Sequence, residues 1–195
     1  MMNLKRWRVK DFKMADFNIF LKTHNFYLST FKETSLDNHH KDKSKEYLCM
    51  DESQEVINFD KIIEDKYPDS NIRPKAFDAI YFDKFNNNIY LVEFKNQKKP
   101  DKKEVEGKLI NGKKELDLLL NDLNMSKNDY KFIFCLVYKK YVPKSERFKR
   151  GLFKSVTFEF LNRYKENKFI DDIYTEDVSF FTKQFKKKMS KDLKC

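Results

Sequence analysis

FDAIYFD (77–83) and NIYLVEFK (88–95) decide the fold of this chain. Both segments are rich in aromatic and branched residues, and they flank FNNN, an Asn-rich turn, which is the pattern of a β-hairpin. Side chains alternate between faces along a strand. In the second segment Ile89, Leu91, Glu93 and Lys95 share one face, and Tyr90, Val92 and Phe94 share the other. In the first, Asp78, Ile80 and Phe82 share a face. A two-residue turn at Phe85-Asn86 sets Asp78 directly opposite Glu93, whereas a turn at Asn86-Asn87 sets it opposite Lys95. Both registers bring Asp78 onto the Glu93 face, and an odd-length loop without a bulge sends it to the other.

Outward from the hairpin, ESQEVINFDKIIEDK (52–66) places Val56, Phe59, Ile62 and Ile63 at helical spacing, which predicts a helix from near Asp51 to before Pro68. Residues 104–123 predict a second helix, with Leu109, Leu116, Leu119, Leu120 and Leu123 on its apolar side. YKFIFCLVY (130–138) is a nearly unbroken apolar run of strand length, as expected of a buried central strand. A helix is then expected through Tyr164, a strand at FIDDIY (169–174), and a last helix capped by Thr175 that carries Val178, Phe181, Phe185 and Met189. Residues 1–25 suggest a further helix, and the polar run 33–45 a loop. This interleaving predicts an α/β (α+β) fold, a mixed β-sheet flanked by helices. One domain is expected over 1–195, with 1–45 an N-terminal extension, 46–140 the core motif region, and 141–195 C-terminal helices and a strand.

The chain has 195 residues, of which 20 are Phe and 10 are Tyr, so aromatics must carry much of the core. The formal net charge is +10, which favours a polyanionic partner. The three glycines form no phosphate-binding loop, which argues against P-loop and Rossmann nucleotide binding. Three cysteines without a CxxC pair predict reduced thiols, Cys49 and Cys135 in the core, and a cytoplasmic location. The first residues lack an apolar signal region, and no run approaches the ~18 apolar residues of a membrane span. His24, His39 and His40 have no metal-ligand spacing and are read as surface residues.

Asp78 and Glu93 side by side in a partly buried place are costly unless a cation neutralises them. A hard divalent ion such as Mg²⁺ (or Mn²⁺), bound by one or two carboxylates and waters, suits that pair. Such an ion can activate water and stabilise phosphoryl charge. Lys95 is placed to position that water, to help deprotonate it, or to stabilise the transition state. Lys98 and Lys99 follow directly and are expected to hold phosphates, with Gln97 beside them. The basic run Lys186-Lys187-Lys188 reads as a solvated helix end, and Trp7 among Lys5, Arg6 and Arg8 as a stacking platform for a base or as a packed aromatic.

RPKAFDAIYF followed by YLVEFKNQ resembles the PD-(D/E)XK nuclease superfamily, whose core is a helix, antiparallel strands, a helix and a strand. The resemblance spans about residues 46–140 and implies a restriction-endonuclease-like fold. Asp78 matches the motif Asp, Glu93 the acidic position and Lys95 the motif Lys; Phe77 stands where the motif has Pro. The resemblance also implies a metal-binding Glu on the first helix, for which Glu55 is the choice and Glu52 and Glu46 the alternatives. The implied function is a Mg-dependent endonuclease hydrolysing phosphodiester bonds of nucleic acid, DNA first. Symmetric double-strand cutting would call for a homodimer or a partner subunit. The alternative is a catalytically silent nuclease-fold module that binds nucleic acid or another protein.

Overall fold

The computed structural model describes residues 19–37, 46–96, 101–139 and 158–195. Among them are the strands β1 (Leu28–Thr30), β2 (Leu36–Asp37), β3 (Glu46–Tyr47), β4 (Glu55–Asn58), β5 (Ala79–Asp83), β6 (Asn88–Lys95), β7 (Lys131–Tyr138) and β8 (Asp172–Asp177). The main helices are α1 (Phe59–Lys66), α2 (Lys102–Asp122) and α3 (Val178–Met189). Among the described residues six strands form one mixed sheet in the order β1-β4-β5-β6-β7-β8, and β2 pairs with β3 apart from it. The pairs β1-β4, β4-β5 and β5-β6 are antiparallel, whereas β6-β7 and β7-β8 are parallel. The parallel pairs need crossovers, and α2 supplies the one between β6 and β7. The expected mixed sheet flanked by helices is the observed architecture.

The face alternation read in the hairpin divides two cores. Ile80, Phe82, Ile89 and Leu91 join Phe59, Ile62, Phe77, Leu109, Leu116 and Leu120 under α1 and α2. Tyr81, Tyr90, Val92 and Phe94 join Phe31, Phe181 and Phe185 on the opposite side. Burying each large apolar side chain contributes about 1.5–3 kcal/mol, so burial on both faces makes β6 and β7 the least replaceable strands.

Several expected boundaries move. The helix expected from near Asp51 begins only at Phe59, because 55–58 are strand β4 and Asn58 is the N-cap, its side chain accepting from the Lys61 amide at 3.0 Å. The last strand is Asp172–Asp177, three residues later than expected, with Thr175 inside it beside Leu136. The Asp177 carboxylate, in place of Thr175, accepts from the Ser179 amide at the start of α3. Part of the 33–45 loop is ordered as β2 and as the short helix Phe31–Thr34.

The thiol expectation fails for two of the three cysteines. Cys49 and Cys195 form a disulfide, because the tail after α3 folds back beside β3. That tail is also held by the Met50 amide on the Lys194 carbonyl at 3.0 Å and by the Lys194 amide on the buried Asp51 carboxylate at 3.0 Å. Cys135 is a buried thiol as expected. His24 is not a surface residue: it is buried against Phe20, with ring centroids 4.3 Å apart, and burial lowers its pKa. Lys113 is buried as well, with its ammonium 3.8 Å from the Phe132 ring centre. Among the described residues no helix is long and apolar enough to cross a membrane.

Candidate functional site

The β5–β6 ladder pairs Asp83 with Asn88 through Ala79 with Val92, so its next step faces Asp78 with Glu93. This is the first of the two registers read from the sequence. The loop is four residues long, Lys84–Asn87, and preserves the parity of the two-residue turn. The Asp83 carboxylate tightens it by accepting from the amides of Phe85 at 3.1 Å and Asn86 at 3.3 Å. Asn87 takes the left-handed backbone (φ 53°) that Asn tolerates better than most residues.

Asp78 is a junction of three segments. Its carbonyl accepts from the amide of Phe59, the first residue of α1, at 3.0 Å. Its side-chain Oδ2 accepts from the Phe94 amide on β6 at 2.6 Å. Its Oδ1 lies 3.0 Å from Lys108 Nζ on α2. Glu93 is fully buried, and its Oε1 lies 2.9 Å from Lys108 Nζ and 3.0 Å from Lys95 Nζ. Its Oε2 accepts no hydrogen bond among the described residues. Lys95 in turn donates to Glu104 on α2 at 2.5 Å.

The charges perturb one another strongly. Burial, then the Asp78 carboxylate, push Glu93 up to about 8 against the pull of Lys108 and Lys95. Burial and the neighbouring Asp78 carboxylate likewise push Asp60, in the first turn of α1, up to about 7. Burial works against the charge on Lys108, but Asp78, Glu93 and Asp60 hold its pKa well above the usual lysine range. Burial opposes Lys95 too, and Glu93 and Glu104 outweigh it, so Lys95 stays protonated. Strongly shifted carboxyls gathered at one end of a sheet mark a candidate functional site.

Asp78, Glu93 and Lys95 therefore meet as the sequence implied, whereas Glu55 does not join them. Glu55 lies on β4, exposed and paired with Thr30, towards the hairpin-turn end of the sheet. Glu46 and Glu52 are also elsewhere, paired with Lys139 and Lys32 respectively. The helix carboxylate that reaches the site is Asp60. The misplaced helix start explains the substitution, because the register that favoured Glu55 assumed a helix where β4 lies. An acid two residues after a capping Asn was the available signal. Glu104 and Lys108 were missed as well. They sit one turn apart on α2, flanking the buried Val105 and Leu109, and an acid–base pair along an apolar stripe was their signal.

Lys98, Lys99, Gln97, His39, His40 and Trp7 lie outside the described residues. Asn96, directly after Lys95, carries buried amide atoms with no partner among the described residues. Among the described residues no group of three or more acidic, histidine or cysteine side chains is gathered closely enough to hold a metal ion. The donor set for a hard cation is instead two facing carboxylates, one with an oxygen that accepts nothing, which suits an ion that keeps several waters. No family model matches the chain, and neither curated proteins nor solved structures give a match to it.

Proposed function

We propose that this chain is a divalent-metal-dependent nuclease of PD-(D/E)XK type that hydrolyses phosphodiester bonds of DNA. The observation that carries the reading is Asp78 facing Glu93 across the β5–β6 pair, with Lys95 against Glu93 at 3.0 Å. Asp78 and Glu93 would hold Mg²⁺ or Mn²⁺, with the Asp60 carboxyl close beside Asp78. When bound, such an ion supplies Lewis-acid stabilisation of charge on a phosphoryl oxygen and lowers the pKa of water. Lys95, held protonated by Glu93 and Glu104, acts as a hydrogen-bond donor to the attacking water or to a phosphate oxygen, in preference to a base. The excess of basic residues, +10 over the chain, supports a polyanionic substrate.

The test is cleavage of labelled single- and double-stranded DNA and RNA with Mg²⁺ or Mn²⁺. Wild type is expected to cleave DNA, and Asp78→Asn, Glu93→Gln and Lys95→Met to lose at least about 100-fold in rate while remaining folded. Wild type inert on every substrate with either ion sinks the reading. One observation favours the silent-module alternative: the Lys108 ammonium already bridges the two carboxylates. Nucleic-acid binding without any divalent-ion binding would select that alternative.

A further inference from the structure

We infer that Lys108 is a resident cation occupying the bridging point between Asp78 and Glu93, and that a divalent ion binds there only by displacing it. The inference rests on the metal-dependent reading above and adds a residue to it.

The geometry makes the two occupants exclusive. Lys108 Nζ stands 3.0 Å from Asp78 Oδ1 and 2.9 Å from Glu93 Oε1. An ion bridging the same two oxygens would need about 2.1 Å to each, so it and the ammonium would overlap. The site is too enclosed to widen around both. Glu93 is fully buried, and the Lys108 and Asp78 side chains are only 15% and 13% exposed. Asp78 is moreover pinned by the Phe94 amide.

Carboxyls outnumber ammonium groups in the cluster. Asp60, Asp78, Glu93 and Glu104 are the carboxyls and Lys95 and Lys108 the ammonium groups set among them, with exposed Lys75 near Glu104 from outside.

A place for the displaced ammonium is built into the same helix. Glu104 precedes Lys108 by four residues on α2, the favourable order for an acid–base pair one turn apart. Its side chain is 30% exposed, more open than those of Asp78, Glu93, Lys95 and Lys108, and its carboxylate already feels the Lys108 charge. Rotation of the Lys108 side chain towards Glu104 vacates the bridging point without moving the backbone. The ammonium then sits at the mouth of the site, towards solvent.

Two measurements on the full-length protein at one fixed pH test the exchange. The first is calorimetric titration with Mn²⁺ of wild type, Lys108→Met, Lys108→Gln and Asp78→Asn. Removing the competitor is expected to tighten Mn²⁺ binding by at least about tenfold, which corresponds to ~1.4 kcal/mol, and Asp78→Asn to abolish it. The second needs no variant: acetylation of Lys108 in wild type, followed by mass spectrometry, is expected to speed up on Mn²⁺ addition relative to Lys113. Equal or weaker binding by folded Lys108 variants, with wild type binding normally, overturns the displacement and leaves the metal reading intact. Acetylation of Lys108 that is unchanged or slower with Mn²⁺ bound overturns it equally, even where both variants fail to fold. No Mn²⁺ binding by wild type or by any folded Lys108 variant overturns the metal reading and the displacement together.

Discussion

Gly112→Ala is a sensitive probe of how α2 is set against the site. A Cβ built on Gly112 would stand 2.7 Å from both Cδ1 and Cε1 of Phe77 and 3.3 Å from the Phe77 amide nitrogen. Ordinary contact begins near 3.4 Å, so helix or ring must give by about 0.7 Å. The ring has little freedom: Phe77 is fully buried and stacked on Phe59, with centroids 4.6 Å apart. Two effects oppose each other. Alanine in a helix interior gains about 1 kcal/mol over glycine, while overpacking a filled core costs about 1–3 kcal/mol. With backbone as well as ring in the way, the steric cost is expected to win, leaving a net loss of up to about 2 kcal/mol. Gly112 lies one turn beyond Lys108, and Phe77 immediately precedes Asp78, so the displacement reaches the site. A misplacement approaching 1 Å can cost up to about 100-fold in rate, and a loss of about 10–100-fold in DNA cleavage is expected here. Urea unfolding and initial-rate cleavage of the same preparation measure both. A variant more stable than wild type by about 1 kcal/mol with unchanged cleavage would refute the close approach and the coupling drawn from it.

Asp60→Asn is expected to lower Mg²⁺-dependent cleavage by at least about tenfold, and Glu55→Ala to leave it within about twofold of wild type; the reverse order in an initial-rate assay would restore Glu55 to the site. Asp51→Asn should cost about 2–4 kcal/mol in urea unfolding, because that buried carboxylate accepts from the amides of Ser53, Gln54 and Lys194. Burial pushes the Asp51 pKa up, but those donors outweigh it and hold it below the ordinary value. Its contribution should therefore be complete above about pH 4, the unfolded value, and fall away as the pH drops through the lower folded one. Equal acid sensitivity of wild type and Asp51→Asn would contradict that. The Cys49–Cys195 bond closes a loop over a sequence separation of 146, so Cys195→Ser is expected to cost about 2–5 kcal/mol; unfolding curves that coincide under non-reducing conditions would show that the bond adds nothing.

Much of the site was legible because strand periodicity is strict. Once FDAIYFD and NIYLVEFK are strands joined by an even loop, parity alone places Asp78 and Glu93 on one face with Lys95 next along it. The same alternation assigned Ile89 and Leu91 to one core and Tyr90, Val92 and Phe94 to the other, and burial has them so. The boundary between β4 and α1 was less legible. Val56, Phe59, Ile62 and Ile63 fit a helical repeat, yet pairing of β4 with β1 and β5 keeps 55–58 extended up to the cap at Asn58. That pairing depends on residues more than 20 positions away, so no local pattern contains it.

By itself, then, the sequence determined the hairpin, its two faces, the buried strand β7, and three polar residues meeting at one strand end, because these follow from a period of two and from local turn geometry. Only the tertiary structure decided that Asp60 and not Glu55 stands beside Asp78, that Lys108 bridges the carboxylates, that Glu104 holds Lys95, and that Cys49 meets Cys195. These contacts join side chains on different elements of the fold. Their geometry is set by how closely helix packs on sheet, as at Gly112 against Phe77, which no spacing of residue types along the chain records.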